Sequence, residues 1–187
     1  LSSHEPYDIK GDYKFGKDTE DNLFRSAHFY TDKVIGNFIE FAKKQEWYKN
    51  TLIVIMSDHG HSLPEHEGPY FSPKKFRIPM LWLGGAINKE VKEIETLSSQ
   101  VDFPYTLLDL LGGDTAPFAF SKNIFNTSSK QYAFYTFNKG YGILNKDGVF
   151  VYDYIGEKPI LETGKNTKIL DSLGKSIGQN SYQYFLD

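Results

Sequence analysis

The stretch TLIVIMSDHGHSLPEHEG, residues 51–68, determines how the rest of the chain is interpreted. It opens with an apolar run from Thr51 to Met56 and turns polar after Ser57, where histidines and acidic residues crowd together. A short apolar run bounded by polar residues predicts a strand that is buried on both faces. Charged side chains after such a strand need water or a partner, because an unpaired buried charge is costly. The stretch therefore predicts a core strand over 51–57 that leads into a polar environment.

The composition of the chain excludes several classes of protein. Its 187 residues suit one domain, which would bury about 70% of the surface of the unfolded chain. The net charge is -3 and the basic residues are scattered, so the sequence does not indicate a surface that binds nucleic acid. Without cysteine there is no disulfide and no thiolate metal site, and no apolar run approaches the roughly 18 residues of a membrane span. Because the chain begins with Leu1 and not Met, we expect a piece of a longer protein, called the parent below.

The spacing of apolar residues predicts alternating helices and strands in the first part of the chain. Cap candidates in KDTEDN precede a helix that begins near Glu20 and continues to Ala42, with apolar residues at steps of three and four. The strand over 51–57 and a second strand in RIPMLWLGG follow, and then a helix over 96–111. This helix, loop and strand order favours an α/β arrangement.

The pattern of residue types changes near the carboxyl end of the chain. Residues 132–155 alternate aromatic and polar side chains and contain the turn signals NKG and NKDG, a pattern that predicts a small antiparallel meander. Residues 165–184 are predicted to form a closing helix, although Gly174 and Gly178 disfavour it.

Asp58 and His59 are the first candidates for chemistry. They fall at the carboxyl end of the predicted strand, where open α/β sheets bind ligands. A carboxylate oxygen and an imidazole nitrogen suit Zn²⁺ or Mn²⁺, and Gly60 would let the backbone turn around an ion. Alternatively, Asp58 caps a turn and His59 is an incidental surface residue. The two residues alone leave both interpretations open.

Five segments in order are similar to the alkaline phosphatase and sulfatase superfamily, in particular its branch of lipoteichoic acid synthases and phosphoethanolamine transferases. They are SSHEPYD, FYTDKVIGNFIEFAKK, NTLIVIMSDHG, FRIPMLWLGG and VDFPYTLLDLLGG, which together span residues 1 to about 113. The last segment departs from the family pattern, because Tyr105 separates Pro104 from Thr106, and no function is carried over to it. The resemblance implies an α/β fold with a mainly parallel sheet flanked by helices, as in alkaline phosphatase.

The resemblance also implies a set of site residues. Asp58 and His59 would be metal ligands, and His4 would contact the phosphate or sulfate group of the substrate. The implied cofactor is a divalent metal, Mn²⁺ or Zn²⁺ before Ca²⁺ or Mg²⁺. His66 is a second substrate-binding candidate, because relatives often place a further histidine beyond this loop. His61 is a weaker candidate for the same role.

Other polar residues are assigned no chemistry. Glu65 and Glu67 are expected to be solvated, and His28 is assigned to helix structure. Superfamily enzymes carry their nucleophile and another acidic ligand upstream of the segment that resembles SSHEPYD, so we expect no catalytic residue in this chain. The resemblance then implies that residues 1–187 are the carboxyl-terminal portion of a catalytic domain, with 1–113 as its core part.

Three functions remain open on this basis. The favoured one is a metal-dependent enzyme that acts on a small-molecule or lipid-linked phosphate or sulfate ester, most similar to the extracytoplasmic phosphoglycerol and phosphoethanolamine transferases. Its parent would be membrane-anchored and work on the periplasmic or outer face. The second is a sulfuric ester hydrolase. The third is a non-catalytic sugar-binding piece, suggested by the aromatic-rich meander predicted over 132–155. We expect the chain alone to bind metal weakly and to lack turnover.

Overall fold

The computed structural model describes residues 2–64, 68–87, 93–128 and 131–186. The chain divides into two compact units, residues 1–90 and 91–187.

The long helix of the first unit, α1, occupies Glu20–Ala42 and confirms the helix predicted from the sequence. Thr19 caps its amino terminus, because its side chain accepts a hydrogen bond from the Asn22 amide at 3.1 Å. Two acidic residues in the first turn complement the helix dipole. The buried residues of the helix are Phe24, Ser26, Ala27, Ile39 and Ala42. The apolar stripe of the sequence is buried only in part, because its residues Val34, Phe38 and Phe41 are exposed.

Two short strands follow, β1 at Ile53–Met56 and β2 at Met80–Leu83. They pair antiparallel, with Ile53 opposite Leu83 and Met56 opposite Met80. In the described part of the segment between them, the regular structure is a 3₁₀ turn at Pro73–Phe76, whereas a parallel return normally requires a helical crossover. The strand pairs formed by the described residues are therefore antiparallel, and the parallel neighbours implied for β1 are not among them.

The burial of β1 also differs from the sequence prediction. Its four residues are half-buried and not buried on both faces. The physical reason lies in the sheet, because β1 and β2 form a two-stranded sheet within the described residues. The apolar composition correctly predicted that a strand exists here and where it ends. It did not predict how exposed the two faces of the strand are.

The second unit contains a helix, a meander and a closing helix. Helix α2 occupies Asp102–Leu110, and the strands form one sheet in sequence order, β3-β4-β5-β6. The strands are β3 at Ala133–Phe137, β4 at Gly140–Asn145, β5 at Gly148–Asp153 and β6 at Lys158–Gly164. The predicted meander over 132–155 is confirmed, and β6 extends it by one strand. Helix α3 covers Thr167–Leu186, close to the predicted 165–184.

Helix α2 starts later than the predicted residue 96 because its first residue, Asp102, is held by side-chain bonds. The buried Asp102 carboxylate accepts the Ser99 amide at 2.8 Å and the Lys122 amide at 2.9 Å. It also accepts the Lys122 ammonium at 2.5 Å, and that ammonium donates to the Tyr132 carbonyl at 2.9 Å. This buried ion pair joins the start of α2 to the segment before β3.

Gly174 explains how α3 packs on the meander despite its glycines. A Cβ at this position would lie 2.3 Å from a ring carbon of Tyr141, which is 1% exposed and belongs to the core of the unit. The two elements can approach this closely only because residue 174 has no side chain. The packing contact thus offsets the helix propensity that glycine lacks.

Replacing Gly174 by Ala is expected to lower the free energy of unfolding by about 1–2 kcal/mol, because overpacking outweighs the gain in helix propensity. Gly178→Ala is the matched control, since a Cβ there meets only the Tyr154 hydroxyl at 3.5 Å. That variant is expected to keep or raise stability by up to about 1 kcal/mol. Urea unfolding followed by circular dichroism measures both. Equal shifts of the same sign in the two variants would contradict the close contact.

Candidate functional site

The loop after β1 places Asp58 and His59 on the surface of the first unit. The Ser57 hydroxyl donates to the His59 carbonyl at 2.9 Å, and the Asp58 carboxylate accepts the His59 amide at 3.0 Å. These local bonds fold the loop back on itself directly after the strand. The side chains of Asp58 and His59 are 89% and 66% exposed, so the loop presents both to solvent.

The imidazole of His59 is oriented for binding through one nitrogen. Its Nδ1 lies 2.8 Å from the Gly60 carbonyl oxygen, which can only accept, so Nδ1 carries the proton. The lone pair of the neutral ring is then on Nε2. A backbone carbonyl that fixes the tautomer of a histidine in this way is the usual partner of a metal ligand.

Asp58 and His59 can share one ion. The distance between Asp58 Oδ2 and His59 Nε2 is 3.9 Å. Two donors that each lie about 2.0–2.2 Å from a metal are separated by no more than roughly 4.4 Å. The donor types and their separation therefore fit a divalent cation. Among the described residues, no group of three or more histidine, aspartate and glutamate side chains converges.

Gly60 serves the loop in a different way from the one predicted. Its φ lies outside the left-handed region, so the turn does not need a glycine for its backbone angles. Instead, a Cβ at residue 60 would lie 2.0 Å from the Lys75 carbonyl oxygen. The loop lies directly against the 3₁₀ turn Pro73–Phe76, and this contact fixes its position after β1.

His4 lies in the amino-terminal turn of the same unit and is exposed. Its Nδ1 donates to the Glu5 carbonyl at 2.8 Å, and its own carbonyl accepts the Tyr7 amide at 2.8 Å. Tyr7 is 2% exposed and packs edge-on against Phe24 of α1, with ring centroids 5.7 Å apart. The turn is therefore held in place by a buried tyrosine three residues after His4.

His61 joins the amino-terminal turn to the loop after β1. Its Nδ1 accepts the Leu63 amide at 3.0 Å, and its Nε2 lies 3.4 Å from the Tyr7 hydroxyl. Its ring stacks on Phe24 with centroids 5.0 Å apart and an interplanar angle of 26°. The segments that carry His4 and Asp58 are thus packed on the same side chains.

The electrostatics of this contact favour neutral groups. Burial lowers the pKa of His61, although the carboxylate of Glu5 opposes the shift, and burial together with Glu5 raises the pKa of Tyr7. Because Nδ1 of His61 accepts a backbone bond, the proton of the neutral ring is on Nε2, which faces the Tyr7 hydroxyl. His61 therefore acts as a packing and orienting residue in this geometry.

From the sequence, His61 is a weaker substrate-binding candidate than His66. No pattern in the sequence connects residue 61 with residue 7, since 54 positions separate them. His66 lies outside the described residues, as do its neighbours Glu65 and Glu67. The imidazole of His28 donates to the Phe24 carbonyl at 2.9 Å and lies 3.9 Å from the Phe24 ring, in keeping with the structural role assigned to it.

The sulfatase family profile matches residues 1–113, which is more than half of the chain. This chain belongs to the sulfatase family. The matched range includes the amino-terminal turn, α1, the loop that carries Asp58 and His59, and α2. The motifs on which the resemblance was based all fall within it.

Curated sulfatase-family relatives match the chain at similar levels. Lipoteichoic acid synthase 2 of Bacillus subtilis (strain 168) is 29% identical over 139 residues, which is 65% of this chain and 21% of the relative. Arylsulfatase K of Mus musculus is 28% identical over 124 residues, which is 60% of this chain and 22% of the relative. The chain spans about a fifth of the length of these two proteins. The first match supports the lipoteichoic-acid-synthase-like branch.

The fold is also that of the superfamily. The crystal structure of an alkaline phosphatase superfamily protein from Vibrio parahaemolyticus superposes with a TM-score of 0.74 at 22% identity, covering 98% of this chain and 48% of that one. The alkaline-phosphatase-like α/β class predicted from the sequence is therefore confirmed. None of the helices in the described ranges combines the length and the hydropathy that crossing a membrane demands.

Proposed function

We propose that this chain is part of a metal-dependent enzyme that transfers or hydrolyses phosphate or sulfate esters, most similar to the phosphoglycerol and phosphoethanolamine transferases. Membership of the sulfatase family supports an enzyme of this general class. The observation that carries the proposal is the pair formed by Asp58 and His59, whose donor atoms lie 3.9 Å apart after β1. The bond from His59 Nδ1 to the Gly60 carbonyl leaves Nε2 as the donor that a metal requires.

A bound divalent cation would polarise the ester oxygen and activate an attacking hydroxyl. Asp58 would contribute a negative oxygen ligand, and His59 a neutral nitrogen ligand whose ring the Gly60 carbonyl orients. Mn²⁺ or Zn²⁺ fits this mixed pair better than Mg²⁺ or Ca²⁺, which prefer oxygen ligands.

His4 would bind the transferring group of the substrate. Its Nδ1 is already engaged with the Glu5 carbonyl, so Nε2 faces a ligand only as an acceptor or, in the imidazolium form, as a donor. In the imidazolium form, His4 would donate a charge-assisted hydrogen bond to a phosphate or sulfate oxygen. The proposal keeps His66 as a further substrate contact on sequence grounds alone.

The substrate and the location of the parent follow from the resemblance to the lipoteichoic-acid-synthase-like branch. We propose a small-molecule or lipid-linked ester as the substrate, a membrane-anchored parent, and action on the periplasmic or outer face. The net charge of -3 gives no reason to expect a nucleic-acid partner. In this proposal residues 1–187 form the carboxyl-terminal portion of the catalytic domain, and the nucleophile lies elsewhere in the parent.

The proposal is tested by assaying the full-length product of the gene beside residues 1–187. Aryl phosphate, aryl sulfate and phosphatidylglycerol vesicles are offered with Mn²⁺, Zn²⁺, Mg²⁺ or Ca²⁺. We expect the full-length protein to act on the phosphate esters, to lose turnover after treatment with EDTA, and to recover it with Mn²⁺ or Zn²⁺. The chain alone is expected to show no turnover, because catalytic sites commonly use three protein ligands and its described residues bring together two.

The same assay separates the alternatives. A preference for aryl sulfate over aryl phosphate would favour the sulfuric ester hydrolase. Turnover that survives EDTA in metal-free buffer would contradict a metal-dependent enzyme.

A further inference from the structure

The second unit contains an open groove of about 500 Å³ between the meander and α3. This volume falls within the roughly 300–1,000 Å³ of small-molecule sites. Four tyrosines line the groove, together with Lys175 and Gln179 of α3: Tyr141, Tyr152, Tyr154 and Tyr182. Tyr154 is 51% exposed and Tyr182 is 65% exposed, so their rings are available to a ligand.

Three of the tyrosines are in ring contact, although Tyr141 is almost fully buried and Tyr154 is the most exposed of the three. Tyr141 and Tyr152 stack with centroids 5.8 Å apart and an interplanar angle of 24°. Tyr152 and Tyr154 meet edge to face at 6.1 Å. The Tyr154 hydroxyl is protonated at neutral pH, as tyrosine hydroxyls ordinarily are, and can donate a hydrogen bond. The groove thus combines apolar ring faces with polar tips, a combination that packing alone does not require.

Gly178 keeps one wall of the groove open. A glycine inside a helix costs about 1 kcal/mol relative to alanine. At Gly174 close packing on Tyr141 explains the glycine, but a Cβ at Gly178 would meet only the Tyr154 hydroxyl at an ordinary 3.5 Å. The absence of a side chain at residue 178 therefore leaves space for a ligand, and not for a neighbouring element.

The charged groups at the groove favour an uncharged ligand over an anionic one. Lys175 donates to Asp171 at 2.9 Å and lies 5.5 Å from the Tyr152 ring, so its charge is already compensated. A phosphate group would need an uncompensated cation. An acyl chain would cover the Tyr154 hydroxyl and the Gln179 amide without offering them a hydrogen bond, whereas the Tyr141 hydroxyl already donates to Asp171 at 3.3 Å. A sugar ring satisfies both requirements, with an apolar face for the rings and hydroxyls for the polar groups.

We propose that this groove binds a sugar residue of a neutral glycan. The proposal gives a specific place to the sugar-binding hypothesis that the aromatic-rich meander suggested. It does not depend on the metal pair of the first unit, and its test uses neither metal nor ester.

The test is binding of neutral oligosaccharides to residues 1–187, measured by saturation-transfer NMR and isothermal titration calorimetry. The probes are maltohexaose, cellohexaose, chitohexaose and polyglycerol phosphate. We expect at least one neutral oligosaccharide to bind with a dissociation constant of about 1 mM or tighter. Tyr154→Ala is expected to weaken it about tenfold or more, and Gly178→Met to abolish it by filling the groove while raising helix stability.

Two control variants separate binding from folding. Tyr184→Ala removes another tyrosine of α3 that is 66% exposed and lies outside the groove lining. Gly36→Met adds the same side chain at a glycine of α1 that has no neighbour within 4 Å of the new Cβ. Both are expected to leave the affinity unchanged.

Three outcomes would overturn the proposal. The first is no binding of any neutral oligosaccharide up to about 10 mM. The second is binding of polyglycerol phosphate alone. The third is an affinity that neither Tyr154→Ala nor Gly178→Met changes, with both variants folded by circular dichroism.

Discussion

Replacing Asp58 by Ala in the full-length protein is expected to reduce kcat/KM on the preferred ester by about 10³-fold or more, which corresponds to about 4 kcal/mol of barrier. The substitution removes one of the two ligands proposed for the loop after β1, together with the negative charge that would neutralise the cation. His59→Ala is expected to have an effect of similar size, because it removes the oriented nitrogen of the same pair.

Metal binding should fall together with turnover. Electron paramagnetic resonance with Mn²⁺ measures the affinity directly, and we expect it to drop at least about tenfold in both variants. Asp32→Ala is the matched control, since it removes an exposed carboxylate from α1 of the same unit. Unchanged turnover and unchanged Mn²⁺ affinity in Asp58→Ala would show that the loop after β1 is not the metal site.

Replacing Asp102 by Ala is expected to lower the free energy of unfolding by about 3–5 kcal/mol, because it leaves the Lys122 ammonium buried without its carboxylate. The carboxylate is fully buried, and it also accepts the Ser99 and Lys122 amides. Two backbone donors therefore lose their acceptor in addition to the ion pair. The start of α2 and the segment before β3 should loosen together. Urea unfolding of the variant and of the wild-type chain measures the loss.

A double variant separates the ion pair from the rest of the site. Lys122→Met with Asp102→Ala removes the stranded charge, so we expect the pair of substitutions to cost less than the sum of the single ones. Asp109→Ala is the matched control, because it removes an exposed carboxylate of α2 that accepts the Asn123 amide at 2.6 Å. A change below about 1 kcal/mol in Asp102→Ala would contradict the importance of the pair.

Local patterns in the sequence predicted the local structure well. The cap, the acidic first turn and the apolar stripe of helix α1 lie within one continuous segment. The signals that determine this helix are therefore close to one another in the sequence. The meander has the same property, because its strands are joined by short turns with glycine. The start of α2 was missed because Asp102 is bound to Lys122, which is 20 positions away.

The features that the sequence analysis missed depend on contacts between distant residues. The direction of β2 relative to β1 depends on the path of the chain between residues 57 and 79. The apolar residues of a strand do not indicate whether it pairs parallel or antiparallel with its neighbour. Asp58 and His59 could be selected from their position after a strand. His61 could not, because its role depends on Phe24 and Tyr7, which no spacing rule connects with it.

The contact between His61 and Tyr7 also has an entropic consequence. It closes a loop of 54 residues, and bringing the ends of such a loop together costs about 3.5 kcal/mol in the length-dependent part alone. The packing of both side chains on Phe24 of α1 must offset that cost. The turn that carries His4 and the loop that carries Asp58 thus share a single source of stability. A substitution that loosens α1 would disorganise both halves of the proposed centre at once, even if it touched neither.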